Sequence, residues 1–179
     1  MLTEYCSALT MCAPAMLITY YHYTQPVNVC TKCIWLGTIL HAPFSIMYHV
    51  LCANSFFRDP IENIPRKLDQ VMIHVGAICF LVGVSTYDMY NQIAIVFNQL
   101  SVSYIFWSFS RKEIRRMNIL LSIIFYVLPI GLRILIYMSL GIYGFVRNPQ
   151  WYGYGTSLFH VCLCGLVHHM HEYCALQEN

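Results

Sequence analysis

The feature that most constrains this chain is its succession of long apolar runs, with most Lys and Arg held in the short segments between them. A helix crosses the hydrocarbon core of a bilayer with about 20 predominantly apolar residues. Lipid cannot hydrogen-bond to exposed backbone, so a run of this kind has to cross as a helix. The runs fall at residues 5–23, 32–54, 69–87, 90–109, 117–130, 131–147 and 155–175. They predict an all-α fold, a polytopic seven-transmembrane helix bundle in which 1–179 is a single membrane domain. Composition agrees. Only 10% of residues are charged and 58% are hydrophobic, with a mean hydropathy of +0.55, whereas a soluble domain keeps about 25% charged.

Two of these runs test the count. Residues 117–147 form one apolar stretch interrupted by Pro129-Ile130-Gly131 and Arg133. Proline followed shortly by glycine favours a turn, yet each half is short for a crossing, so one long kinked helix is the alternative. The first run carries Pro14 and a polar Tyr/His end. No Lys or Arg precedes it, and it reads as a retained span rather than a signal peptide.

Cytoplasmic loops carry an excess of Lys and Arg. With seven spans, Arg58, Arg66, Lys67, Arg111, Lys112, Arg115, Arg116 and Arg147, eight of the ten basic residues, fall on the side of the N-terminus. Lys32 alone lies in an opposite loop, and Arg133 lies in the contested turn. The expected topology has the N-terminus in the cytoplasm and the C-terminus outside or lumenal. No Asn-x-Ser/Thr sequon is present to orient the chain. A net charge of +2 without a basic arm argues against a nucleic-acid partner.

Polar residues inside the spans carry the functional signal, because ionisable groups there are costly and usually face a cavity or a partner. Ser45 and His49, four residues apart, share one face of the second helix. His49 lies near the cytoplasmic end of that span, Asp69 opens the third span, and His160 lies early in the seventh. The three converge on one layer if residues 117–147 make two helices. Two histidines and a carboxylate suit zinc. Asp69 would serve as ligand or general base, and Ser45 would donate to an oxyanion. The simpler readings are a histidine hydrogen-bonded to a neighbouring helix, Ser45 bonded to the carbonyl one turn back, and Asp69 as a helix N-cap.

Other clusters carry less. Cys30 and Cys33 have C-x-x-C spacing, but no second pair completes a zinc knuckle, and they read as an ordinary helix-end pair. The remaining cysteines sit mostly in apolar runs, as small hydrophobes. His168, His169 and His171 with Glu172 gather at the outer end of the last span, as interfacial histidines or a peripheral metal site.

The stretch Ser45-x-x-x-His49, then Arg66-Lys67-Leu68-Asp69, then Trp151-Tyr152-Gly153-Tyr154-Gly155-Thr156-Ser157-Leu158-Phe159-His160 resembles the hemolysin III / progestin and adipoQ receptor family, part of a wider group that includes alkaline ceramidases. The resemblance covers the second, third and seventh spans by motif and the rest by topology. It implies seven helices, a cytoplasmic N-terminus, and a zinc ion held by His49, His160 and a further seventh-helix histidine. Ser45 and Asp69 would then act around the zinc or its water. That further histidine should stand at position 156, where this chain has Thr156. A neutral hydroxyl is a poor zinc ligand. Asp69 therefore moves in, another histidine substitutes, or zinc binding is weakened or lost. His41 shares the face of His49 but lies two turns, about 12 Å, away. His168 is as far from His160, and His74 sits more than a turn beyond Asp69.

The resemblance implies zinc-dependent hydrolysis of a membrane lipid amide such as a ceramide, the acyl chain entering laterally between helices. The rival expectation is a non-catalytic membrane receptor or scaffold that kept the fold and lost part of the metal site. A channel is disfavoured, since no ladder of charges lines the spans.

Overall fold

The structure, a computed structural model, describes residues 1–54 and 63–176. Arg58, one of the residues that set the expected orientation, lies outside the described residues. Seven α-helices and no strand occur among those described: α1 (Leu2–Thr24), α2 (Val29–Ala53), α3 (Ile64–Val84), α4 (Asp88–Phe106), α5 (Lys112–Val127), α6 (Leu132–Val146) and α7 (Tyr154–Leu176).

Local chemistry explains the boundaries. α2 begins in a capping box: the Asn28 side chain accepts from the Thr31 N–H at 2.7 Å, and the Thr31 hydroxyl accepts from the Asn28 N–H at 2.9 Å. α3 is capped by Asn63, which accepts from the Arg66 N–H at 2.8 Å, with a proline in the first turn. This corrects one expectation. Asp69 neither opens α3 nor caps it, but lies in the second turn, because Asn63 and Pro65 start the helix earlier.

The contested stretch is two helices. α5 ends at Val127, and Gly131 has a φ of 97°, a conformation that glycine adopts without a Cβ penalty. Pro129 cannot donate a helical hydrogen bond, which ends α5 there. α5 begins at Lys112, ahead of the apolar run. α1 continues through buried Pro14.

α3 is the central element and packs against α2, α4, α5 and α7, while α7 packs against α6, α1, α2 and α3. The core they share includes Ile34, Leu81, Ala94, Val127, Leu166 and Met170. α6 meets α7 closely at Gly155, where a Cβ would overlap the carbonyl oxygen of Gly144. At the far end of the bundle, where α2 starts and α7 finishes, a disulfide joins Cys30 to Cys174 across Cα atoms 5.6 Å apart. The Asn28 side-chain amide donates to the Cys174 carbonyl at 3.1 Å beside it.

Polar side chains are buried alongside the apolar core, and large apolar side chains stand on the outside. Ser45, His49, Asp69, His74, Asn98 and His160 are buried, while Ile93 and Leu100 on α4 and Ile136 and Leu140 on α6 are exposed. Two helices, α2 and α3, are long and apolar enough to cross a membrane by length and composition, and Ile134–Val146 is a shorter apolar helix.

Candidate functional site

The site lies at the end of the bundle where α1, α3 and α7 begin and α2 finishes. Ser45 and His49 are both buried on the inward face of α2, as their four-residue spacing requires. The His49 ring meets His160 of α7 edge-on, with ring centroids 5.4 Å apart and planes at 75°.

Each ring is fixed through the same nitrogen. His49 Nδ1 lies 2.6 Å from Oε2 of Glu4. A carboxylate accepts, so this nitrogen donates. His160 Nδ1 donates to the Ser7 carbonyl at 2.9 Å, with the Thr10 hydroxyl 3.4 Å away. A neutral imidazole carries one N–H. In the neutral form of each ring, donation from Nδ1 leaves the lone pair on Nε2, and no Nε2 hydrogen bond of either ring occurs among the described residues.

Asp69 is held differently. Its Oδ1 accepts from His41 Nε2 at 3.1 Å and its Oδ2 from Arg66 Nη1 at 2.7 Å. Arg66 also stacks over Tyr48, with its guanidinium carbon 4.7 Å from the ring centroid. The carboxylate is buried, and the side chain of Arg66 keeps 17% of its surface. Asp69 lies at the same end of the bundle as His49 and His160. Its short contacts, however, go to His41 and Arg66. His41, two turns from His49 on α2, reaches Asp69. Ser45 makes no hydrogen bond among the described residues, and does not bond back to its own helix.

Thr156 is half-buried, and its backbone N–H donates to Asn148 Oδ1 at 2.9 Å, which ties the first turn of α7 to the end of α6. Ser157 lies against Ser7, with hydroxyls 3.1 Å apart. The structure therefore brings His49 and His160 together with Glu4, and sets Asp69 beside them in a clamp of its own. Two participants escaped sequence reasoning. Glu4 stands in the first turn of α1, just ahead of the first apolar run at 5–23, and no motif signalled it. The Ser7 carbonyl carries no sequence signal at all.

The remaining histidines are elsewhere. His74 is fully buried in the core, with Nδ1 2.8 Å from Asn98 Oδ1 and 2.9 Å from the Ser122 hydroxyl. His168 meets the Tyr21 hydroxyl at 2.8 Å, His169 meets Glu172 at 3.0 Å, and His171 stacks on Tyr21.

As a zinc site the donor set fits at two positions. His49 and His160 have the pattern of metal-binding imidazoles, in which the second nitrogen donates to a carboxylate or backbone carbonyl that fixes tautomer and orientation. Among the described residues, however, no three His, Cys, Asp or Glu side chains are gathered to hold an ion. Both oxygens of Asp69 are engaged, and Thr156 offers only a hydroxyl. No family model, curated protein or solved structure matches this chain.

Proposed function

We propose that this chain is a seven-span membrane protein of the hemolysin III / progestin and adipoQ receptor type, which uses the His49–His160 site for zinc-assisted hydrolysis of a membrane lipid amide. The observation that carries the reading is the matched tethering of the two rings. Glu4 and the Ser7 carbonyl each take an Nδ1 proton, leaving two Nε2 lone pairs on rings that touch. His74 in the core is also held through Nδ1, so what sets this pair apart is that the two rings lie against each other.

Membrane embedding is supported by the exposed apolar side chains and by the burial of the ionisable His49, Asp69 and His160, since an ionisable group is tolerated in a bilayer when it faces the bundle. Helices α5 and α6, with 16 and 15 residues, span about 24 and 22 Å, less than the roughly 30 Å core of an average bilayer. Local thinning or snorkelling of the flanking residues accommodates such helices. Orientation has independent support. Disulfides persist in oxidising compartments, and Cys30–Cys174 lies at the end that the Lys and Arg placement assigns to the outside or lumen.

Zinc held by His49 and His160 would supply Lewis acidity and an activated water. The protein's own groups do the rest. Glu4 orients His49, Ser7 orients His160, and the uncommitted Ser45 hydroxyl donates to developing negative charge on the lipid carbonyl. Asp69, if released from Arg66 or His41, would serve as a further zinc ligand or as the general base. The membrane lipid is the only partner the reading requires.

A second reading has its own observation. Asp69 is clamped by His41 and Arg66, and Thr156 lacks an imidazole, which suits a receptor or scaffold that binds a lipid without cleaving it. Elemental analysis of the protein purified mildly in detergent separates the two. About one zinc per chain, lost in His49→Ala, together with release of fatty acid from a ceramide-like lipid, is expected. Zinc-free wild-type protein that still binds the lipid would establish the second reading.

A further inference from the structure

The bundle end opposite the histidines holds three cysteines whose arrangement the proposed hydrolysis does not use. Cys30 stands at the N-terminus of α2 and is bonded to Cys174 near the end of α7. Cys33 follows one turn later on α2 as a free, partly exposed thiol. Residues three apart on a helix have Cα atoms about 5 Å apart from the rise and radius of the helix, within the range of roughly 4.4–6.8 Å that a disulfide spans. Cys30 can therefore reach two partners, Cys174 and Cys33. No side chain of α3 separates the α2 pair, because the residue facing them is Gly83. A Cβ there would lie 3.0 Å from the Cys30 carbonyl oxygen and 3.0 Å from the Cys33 Cβ.

We propose that Cys30, Cys33 and Cys174 form a thiol–disulfide exchange site in which Cys33 displaces Cys174 from Cys30. Cys33 gives its proton to water, and its thiolate attacks Cys30 Sγ. The Cys30–Cys33 bond forms as the Cys30–Cys174 bond breaks, and Cys174 leaves as a thiolate that takes up a proton. One disulfide and one thiol exist before and after, so the exchange needs no external oxidant or reductant. Its consequence is mechanical. In one state α7 is stapled to α2. In the other it is held there by packing and by the Asn28 hydrogen bond to the Cys174 carbonyl. The freed Cys174 thiol becomes the group that a glutathione pool or a second protein thiol would modify.

The sequence makes the exchange easy to read. Lys32 lies between Cys30 and Cys33, so trypsin places them on different peptides, and a bond between them appears as a cross-link. The full chain in detergent is equilibrated in glutathione buffers of graded ratio, quenched with iodoacetamide, digested without reduction and analysed by mass spectrometry. Wild-type protein should give both Cys30–Cys33 with alkylated Cys174 and Cys30–Cys174 with alkylated Cys33, in a proportion that does not change with the glutathione ratio, because the two states are at the same oxidation level. Cys174→Ser should shift fully to Cys30–Cys33 in oxidised buffer, with loss of the alkylated Cys33 peptide. Cys33→Ser should give glutathione adducts on Cys30 or Cys174 in place of the internal exchange. The proposal is overturned if Cys33 is alkylated at every ratio in both wild type and Cys174→Ser. It is equally overturned if Cys30–Cys174 is absent from oxidised wild-type protein.

Discussion

Glu4 Oε2 lies 2.6 Å from His49 Nδ1, which joins the first turn of α1 to the last turns of α2 and fixes the His49 ring before any ligand arrives. The side chain of His49 is 5% exposed and that of Glu4 37%. The carboxylate thus stands at the rim while the imidazole faces inward. A charged acceptor makes this bond stronger than a neutral one.

Replacing Glu4 should therefore act through His49. Partners of this kind typically cost 10–100-fold in metal affinity when removed, so Glu4→Ala should weaken zinc binding by about 10-fold or more. Glu4→Gln retains an acceptor and should fall between the two. Zinc titration against a competing chelator gives the numbers. Equal affinity in wild type and Glu4→Ala would show that the carboxylate does not serve the metal.

Arg66 should matter more for stability than for chemistry. Its removal leaves the buried Asp69 carboxylate with His41 alone, and breaking one side of a buried ion pair costs roughly 3 kcal/mol or more. Partial exposure of Arg66 puts this pair toward the lower end. Arg66→Ala should lower the thermal midpoint in detergent, and Asp69→Asn in the same background should recover part of the loss. An Arg66→Ala protein as stable as wild type would mean that the clamp contributes nothing measurable.

Position 156 decides between a vacant ligand position and a rebuilt one. Thr156 lies one turn before His160, on the same side of α7, and three histidines with water make a full tetrahedral catalytic set. Thr156→His should tighten zinc binding and raise hydrolysis of a ceramide-like amide, and the gain should survive Asp69→Asn. The opposite pattern, no gain with Thr156→His and metal loss in Asp69→Asn alone, would show that Asp69 already holds the third place.

Topology can be tested without any ligand. A tag before α1 should react with an impermeant reagent from the cytoplasmic side, and a tag after α7 should be protected there and reactive from the opposite side. Reaction of both tags from one side would remove the assignment of the histidine end to the cytoplasm.

The helical fold class, the face shared by Ser45 and His49, and the early position of His160 in the last helix followed from the sequence alone. Apolar run length and a periodicity near four residues are local properties, readable without knowing what packs where. Pro129 and Gly131 marked a possible break, but one kinked helix stayed open until the structure ended α5 at Val127 and began α6 at Leu132. The start of α3 was missed by a turn, because the hydrophobic run begins after the capping residues do. Partner choice was not legible. Asp69 looked like the neighbour of His49 by depth, yet Arg66 and His41 capture both of its oxygens, and Glu4 takes His49 because α1 packs between α2 and α7. Cys30 read as half of an ordinary helix-end pair with Cys33 and is bonded to Cys174, 144 residues away. A hydrogen bond or disulfide is decided within a few ångströms. Which side chains come that close is set by how helices distant in sequence dock, and no local pattern encodes that docking.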